Sequence, residues 1–111
     1  MMYLARESKA MPKIKKINMT KGLYYFYCPA CKQTHEIGTD PADQYPVWQF
    51  NGNLERPTIR PSVAVESTYR GQRTYCHSFV TDGQIQYLDD CTHELKGQTI
   101  ELPDVTKEFE L

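Results

Sequence analysis

The motif Cys28-Pro29-Ala30-Cys31 constrains this chain more than any other feature. Before it runs "GLYYFYC" (22–28), an aromatic stretch that suits a buried strand and not a turn. After it comes "KQTHEI" (32–37), which alternates as a return strand does. A strand, a tight C-x2-C turn and a second strand make a knuckle. In it two thiolates point at one ion while backbone N–H groups steady the sulfurs.

The other two cysteines, Cys76 and Cys91, lie in "TYCHSFVTDGQIQYLDDCTHEL" (74–95). Asp82-Gly83 is a two-residue hairpin turn. In that register Val80 faces Ile85 and Cys76 faces Asp89. Cys76, Ser78 and Val80 then share a face with Ile85, Tyr87 and Cys91, while His77 and Phe79 lie on the other with Leu88. Four cysteines match the four positions of a tetrahedral site, so the expected centre is Zn2+ held by Cys28, Cys31, Cys76 and Cys91. His35, His77 and His93 are alternative ligands, and His35 lies four residues past Cys31. Such a clamp ties an N-terminal hairpin to a C-terminal one, which suits a chain of 111 residues with a modest core.

No apolar run approaches the ~20 residues that span a bilayer, so no membrane association is expected. The opening "MMYLARESKAMPKIKK" lacks the apolar stretch of a secretion signal. A cytoplasmic location is therefore expected, and there a C-x2-C pair binds metal or does redox work more often than it forms a disulfide.

The rest of the chain is punctuated by turn residues. "GTDPADQYP" is a loop, and "VWQF" leads into Asn51-Gly52, a hairpin-turn signal. Pro57 and Pro61 exclude a helix and reduce "LERPTIRPS" to a loop or edge strand. "SVAVES" reads as a strand, "YRGQR" as a turn and "QTIEL" as a last strand before a tail. "CTHELKG" is at most a helical turn stopped by Gly97. About seven short strands and almost no helix make a single all-β or β-rich zinc-binding domain over 22–111.

Charge divides differently. Residues 1–22 carry six basic side chains and one acidic, and the remainder seven basic and thirteen acidic. Residues 1–21 thus read as a basic N-terminal arm, with Lys13, Lys15 and Lys16 as candidates for nucleic-acid contact. The ordinary reading of such an arm is a solvated terminus, and the acidic remainder argues against a domain-wide nucleic-acid surface. Met11 is an alternative start, which makes residues 1–10 optional.

His77, Asp90 and His93 are the catalytic candidates. A catalytic zinc needs three protein ligands and one open position. Cys28, Cys31 and Cys91 can hold such an ion while His77, Asp90 or His93 serves a bound water. Alternatively Cys76 is a nucleophile activated by His93. Each residue also has a plainer role. His77 can be a packed core histidine, Asp90 or Thr92 can cap the turn at His93, and His93 can orient a thiolate. Ser62, Thr58 and Asn51 can line a pocket near the metal, although turn chemistry accounts for them more simply. No HExxH, nucleophile elbow, phosphate-cradling loop or dinucleotide fingerprint is present.

"YCPACKQTHEI", "WQFNGNLERPTIRPSV" and "CHSFVTDGQIQYLDDCTHELKGQTIELPDV", in this order, resemble a family of small phage and bacterial proteins known as a domain of unknown function. The resemblance spans roughly Tyr25 to Val105. Recurrent family residues match here at Cys28, Cys31, Trp48, Asn51, Gly52, Pro57, Pro61, Ser62, Cys76, His77, Gly83, Asp90, Cys91, His93, Gly97 and Gln98. The resemblance implies a compact zinc-binding domain carried by phages and prophages, with some bacterial relatives near ubiquitin-like conjugation genes. An oxidase label carried by some copies has no copper or di-iron ligand set behind it here. The expected function is a phage- or prophage-type accessory protein that binds a host or phage protein partner, with zinc as a structural staple. The alternatives are a zinc-dependent hydrolase, such as a peptidase, and nucleic-acid binding through the arm.

Overall fold

The computed structural model of the protein describes residues 11–42 and 46–105. Among them are eight strands and no helix. β1 (Lys15–Lys16), β2 (Leu23–Cys28) and β3 (Gln33–Gly38) form one antiparallel sheet in that order. β4 (Gln49–Phe50), β5 (Ile59–Tyr69), β6 (Gln72–Thr81), β7 (Gln84–Tyr87) and β8 (Thr99–Glu101) form a second. All-β architecture is as the sequence pattern predicts.

The two sheets share one core. Phe26, Cys28 and Ile37 of the first pack with Ile59, Val63, Cys76, Val80, Ile85 and Tyr87 of the second. Each apolar side chain taken fully from water contributes about 1.5–3 kcal/mol. With so few of them, a further link between the sheets matters.

The predicted C-terminal hairpin forms in the expected register, Val80 opposite Ile85 and Thr81 opposite Gln84. Asp82 (φ 52°) and Gly83 (φ 80°) both take the left-handed conformation that this two-residue turn demands. Cys76, Ser78, Val80, Ile85, Tyr87 and Cys91 are buried together, and His77 and Phe79 lie on the other face. Cys76 does not reach Asp89, because the ladder ends at Ser78–Tyr87. There Gln98 O takes the N–H of Tyr87 while His77 O takes the N–H of Leu88.

Two local readings change. "PTIRPS" is not a separate loop, since Ile59–Tyr69 is one long strand. Pro61 is accommodated where the pairing to β6 shifts, between Ile59–Val80 and Val63–Ser78. A residue with no N–H to donate costs least at such an irregularity. Asn51-Gly52 opens a longer loop, not a two-residue turn. Asn51 Oδ1 accepts from the N–H groups of Asn53 and Thr58, and Asn53 Oδ1 from those of Glu55 and Arg56.

Part of the expected basic arm is woven into the domain. Ile14 is fully buried in the core, and β1 pairs with β2. Lys13 Nζ donates to Leu102 O at 2.8 Å and pairs with Glu101 and Asp104. Pro12 O accepts the N–H of Val105 at 2.8 Å. Residues 1–10 of the arm and 106–111 of the tail lie outside the described residues.

Candidate active site and metal centre

β5 carries the first element of the site at its irregularity. Between Ile59 and Val63, three residues of β5 face a single residue of β6, Phe79. Ser62 stands in this stretch, half-buried, and its carbonyl accepts a hydrogen bond from Trp48 Nε1 at 3.2 Å. The side chain of Ser62 turns to the outward face of β6, where its Oγ lies 2.8 Å from His77 Nε2.

His77 is fixed from both sides. Its backbone N–H donates to Cys91 Sγ at 3.2 Å, and its carbonyl accepts from the Cys91 thiol and from Leu88 N–H. These bonds hold the turn after β7 against β6. The same turn carries Asp90, whose Oδ2 lies 2.9 Å and Oδ1 3.2 Å from His77 Nδ1. A carboxylate only accepts, so Nδ1 carries the proton. Nε2 then has a free lone pair, and the Ser62 hydroxyl donates to it. Ser62, His77 and Asp90 thus form one continuous hydrogen-bonded chain, hydroxyl to imidazole to carboxylate. The His77 side chain is 23% exposed and that of Asp90 54%, so the chain of hydrogen bonds opens to solvent at its acidic end.

Behind β6 lies a second cluster. One ligand atom from each of Cys28, Cys31, His35 and Cys76 falls within 4.8 Å of the others. No disulfide joins the cysteines. The knuckle works as its sequence predicts, with Cys31 N–H donating to Cys28 Sγ at 3.4 Å. The Tyr87 hydroxyl lies 3.1 Å from the same sulfur and Cys76 Sγ 4.0 Å. His35 is 97% enclosed by this packing, and its Nδ1 lies 3.2 Å from the carbonyl of Thr34. A carbonyl only accepts, so Nδ1 donates and Nε2 is left with a lone pair. That nitrogen is buried and has no hydrogen-bond partner. A buried acceptor without a partner, on a ring grouped with three thiols, is the kind of donor that a metal ion satisfies.

The three cysteines differ in acidity. Contact with the Cys76 thiol, opposed by burial and aided by the Tyr87 hydroxyl and the Cys31 N–H, holds Cys28 down to about 3. Burial, with the Cys28 charge beside it, pushes Cys31 up to about 11. The bond to Cys28 also drives Cys76 upward, with burial adding to it. One thiolate thus gathers the available donors, a distribution that a cation would replace with direct bonds to every sulfur.

The remaining predicted residues fall elsewhere. Cys91 groups with Cys76 and His93 within 4.8 Å. His93 stacks edge-on against Tyr87, ring centroids 4.6 Å apart, and neither of its nitrogens has a partner. His93 therefore does not join His77 and Asp90, and the trio read from the sequence becomes a pair completed by Ser62. Asp90 does not cap a turn: Thr92 Oγ1 holds the N–H of Tyr75 instead. Thr58 and Asn51 serve turns as expected, Thr58 Oγ1 accepting from Asp82 N–H. Lys13 is engaged with the C-terminal segment, while Lys16 is exposed on β1. A cleft lined by Cys31, Val65, Tyr75, Cys76 and His93 opens on the metal side of the β5–β6 hairpin, away from Ser62. Among the described residues no helix is long and apolar enough to cross a membrane.

Ser62 enters the sequence reading only as a possible pocket-lining residue and a recurrent family residue, never as a nucleophile. It has no glycine-flanked elbow, and its distances along the chain to His77 and Asp90 follow no fixed rule. Such sites are recognised by geometry and not by spacing.

Comparison with known proteins bears on this geometry. A family model described as "Bacterial ubiquitination-like system serine protease (BubE)" matches residues 4–88. Ser62 and His77 lie within the matched span, and Asp90 lies two residues past its end. No curated protein and no solved structure matches the chain. The expectation of an accessory protein acting only by binding is overturned, because the matching family is one of proteases. The match covers most of the 111 residues, and the chain belongs to the bacterial ubiquitination-like system serine protease (BubE) family.

Proposed function

We propose that this chain is a serine peptidase in which Ser62 is the nucleophile, His77 the general base and Asp90 the orienting carboxylate. The observation that carries this reading is the continuous chain of hydrogen bonds from Ser62 Oγ through both ring nitrogens of His77 to Asp90. Ser62 Oγ attacks the scissile carbonyl carbon as its proton passes to His77 Nε2. Asp90 stabilises the imidazolium that results. Collapse of the tetrahedral adduct expels the amine, which takes the proton from His77 and leaves an acyl ester on Ser62. Water, deprotonated by the same imidazole, then releases the acid and restores the hydroxyl. The family description supports a setting for this activity, a bacterial ubiquitination-like system.

The peptidase class agrees with one alternative drawn from the sequence, but the proposed mechanism differs. His77 Nε2 faces the Ser62 hydroxyl while its Nδ1 faces Asp90, the order a serine nucleophile needs.

For the metal centre, we propose zinc held by Cys28, Cys31, His35 and Cys76. Three thiolates and one imidazole suit zinc and fill a tetrahedron with protein donors. Such an ion supplies a structural link between the sheets, and Cys76 carries it to the strand position next to His77.

The test is cleavage of unstructured peptides by the full chain beside Ser62→Ala. Loss of cleavage in the variant, with an unchanged melting temperature, supports the peptidase. Equal cleavage by the two proteins contradicts it.

A further inference from the structure

The β5–β6 hairpin has two edges, and they are treated differently. The β6 edge is closed: His77 O and Tyr75 O accept from Leu88 and Thr92, and Tyr75 N–H donates to Thr92 Oγ1. On the β5 edge, β4 pairs only at Ile59 and Arg60. From Val63 to Tyr69 no described strand lies beside β5 except β6.

The direction of the free backbone groups follows from the turn. Arg70 (φ 52°) and Gly71 (φ 79°) are both left-handed, so Tyr69–Gln72 closes a two-residue turn as a hydrogen-bonded pair. In an antiparallel ladder such pairs alternate with pairs whose N–H and C=O point outward. Thr68, Glu66 and Ala64, opposite Arg73, Tyr75 and His77, are the outward ones. The same parity holds further along. Thr58 O accepts from Asn51 N–H, and Ser62 O from the Trp48 indole, both on this edge. The side chains of Ala64, Glu66 and Thr68 are exposed, and among the described residues their backbone groups have no partner on that side.

We infer that this edge is the substrate site. An extended polypeptide adds as a strand along Ala64, Glu66 and Thr68, and so runs up to Ser62. Exposed edges of this kind are normally covered or blunted, and strand addition to such an edge is a recurring mode of peptide recognition. The position argues for a substrate. The free groups repeat at roughly 6.8 Å, two residues of strand, and begin two residues past the nucleophile. The edge is closed where β4 takes over, with Trp48 at the boundary. Main-chain pairing makes the site selective for an unfolded or extended segment and tolerant of its side chains. This inference rests on the peptidase reading.

The probe is a short unstructured peptide that the full chain cleaves in a Ser62-dependent way. Single N-methyl groups are placed on its successive amides, the scissile one excepted. Strand addition predicts a period of two, with alternate N-methylations lowering kcat/KM by about tenfold or more and those between by little. Amide exchange of Ala64, Glu66 and Thr68 should slow when the same peptide binds Ser62→Ala. A flat N-methyl profile, with exchange unchanged, overturns the edge site while leaving the peptidase standing. Protection that appears without peptide and grows with protein concentration assigns the edge to a second copy of the chain, and also overturns it. Cleavage that does not depend on Ser62 removes the peptidase reading and the inference with it.

Discussion

Replacing Asp90 by asparagine tests how the parts of the site depend on one another. Asparagine keeps the size of the side chain and removes its charge. Where a triad carboxylate is buried, this change lowers kcat by about 10⁴. Asp90 is 54% exposed, so water screens part of its field on the imidazolium and the loss is smaller. Both of its oxygens lie within 3.2 Å of His77 Nδ1, so it still sets the tautomer. The expected loss is about 10²–10³ in kcat, or about 3–4 kcal/mol of transition-state stabilisation. Stability should move little, because an exposed pair contributes about 0–1 kcal/mol. The assay is steady-state cleavage of a peptide substrate alongside thermal melting, with Asp89→Asn as the neighbouring control. Full activity in Asp90→Asn would refute the assigned role. So would equal losses in both variants.

Trp48→Phe keeps the ring and removes the indole N–H that holds the Ser62 carbonyl at 3.2 Å. A bond of this kind is worth about 1 kcal/mol, so kcat/KM should fall about fivefold with the fold intact, as read by kinetics and melting. If the proposed ion links the sheets, chelation lowers the melting temperature and reduces cleavage only in step with unfolding. Metal analysis of Cys76→Ser should show loss of the ion, and acidification should release it from the unaltered protein as the thiolates regain protons. A metal-free protein with an unchanged melting curve would remove the structural role.

The fold was legible where pattern and turn chemistry agree. "GLYYFYC" before the knuckle and Asp82-Gly83 between alternating runs each specify a strand pair without help from the rest of the chain. The division of the Cys76–His93 region between two faces followed from the two-residue period alone. What remained hidden depends on long-range packing. Ile14 looks like part of a charged arm until the core cluster that includes Phe26 and Ile37 buries it. His35 looks like an incidental histidine until Thr34 O sets its tautomer and the fold groups it with Cys28, Cys31 and Cys76. Ser62 depends on an irregular pairing with β6, and nothing in "PTIRPS" announces that its hydroxyl will meet a histidine fifteen residues away. The prolines there leave a loop and an edge strand both open, and the structure makes Ile59–Tyr69 one strand that runs through Pro61.

The central claim is that Ser62 is made reactive by His77. Labelling of the full chain with a fluorophosphonate, located by peptide mapping, tests it most directly. The account predicts one adduct, on Ser62 Oγ, lost in Ser62→Ala and in His77→Ala while both variants keep their melting temperatures. An adduct on another residue, or undiminished labelling of Ser62 in His77→Ala, would contradict it.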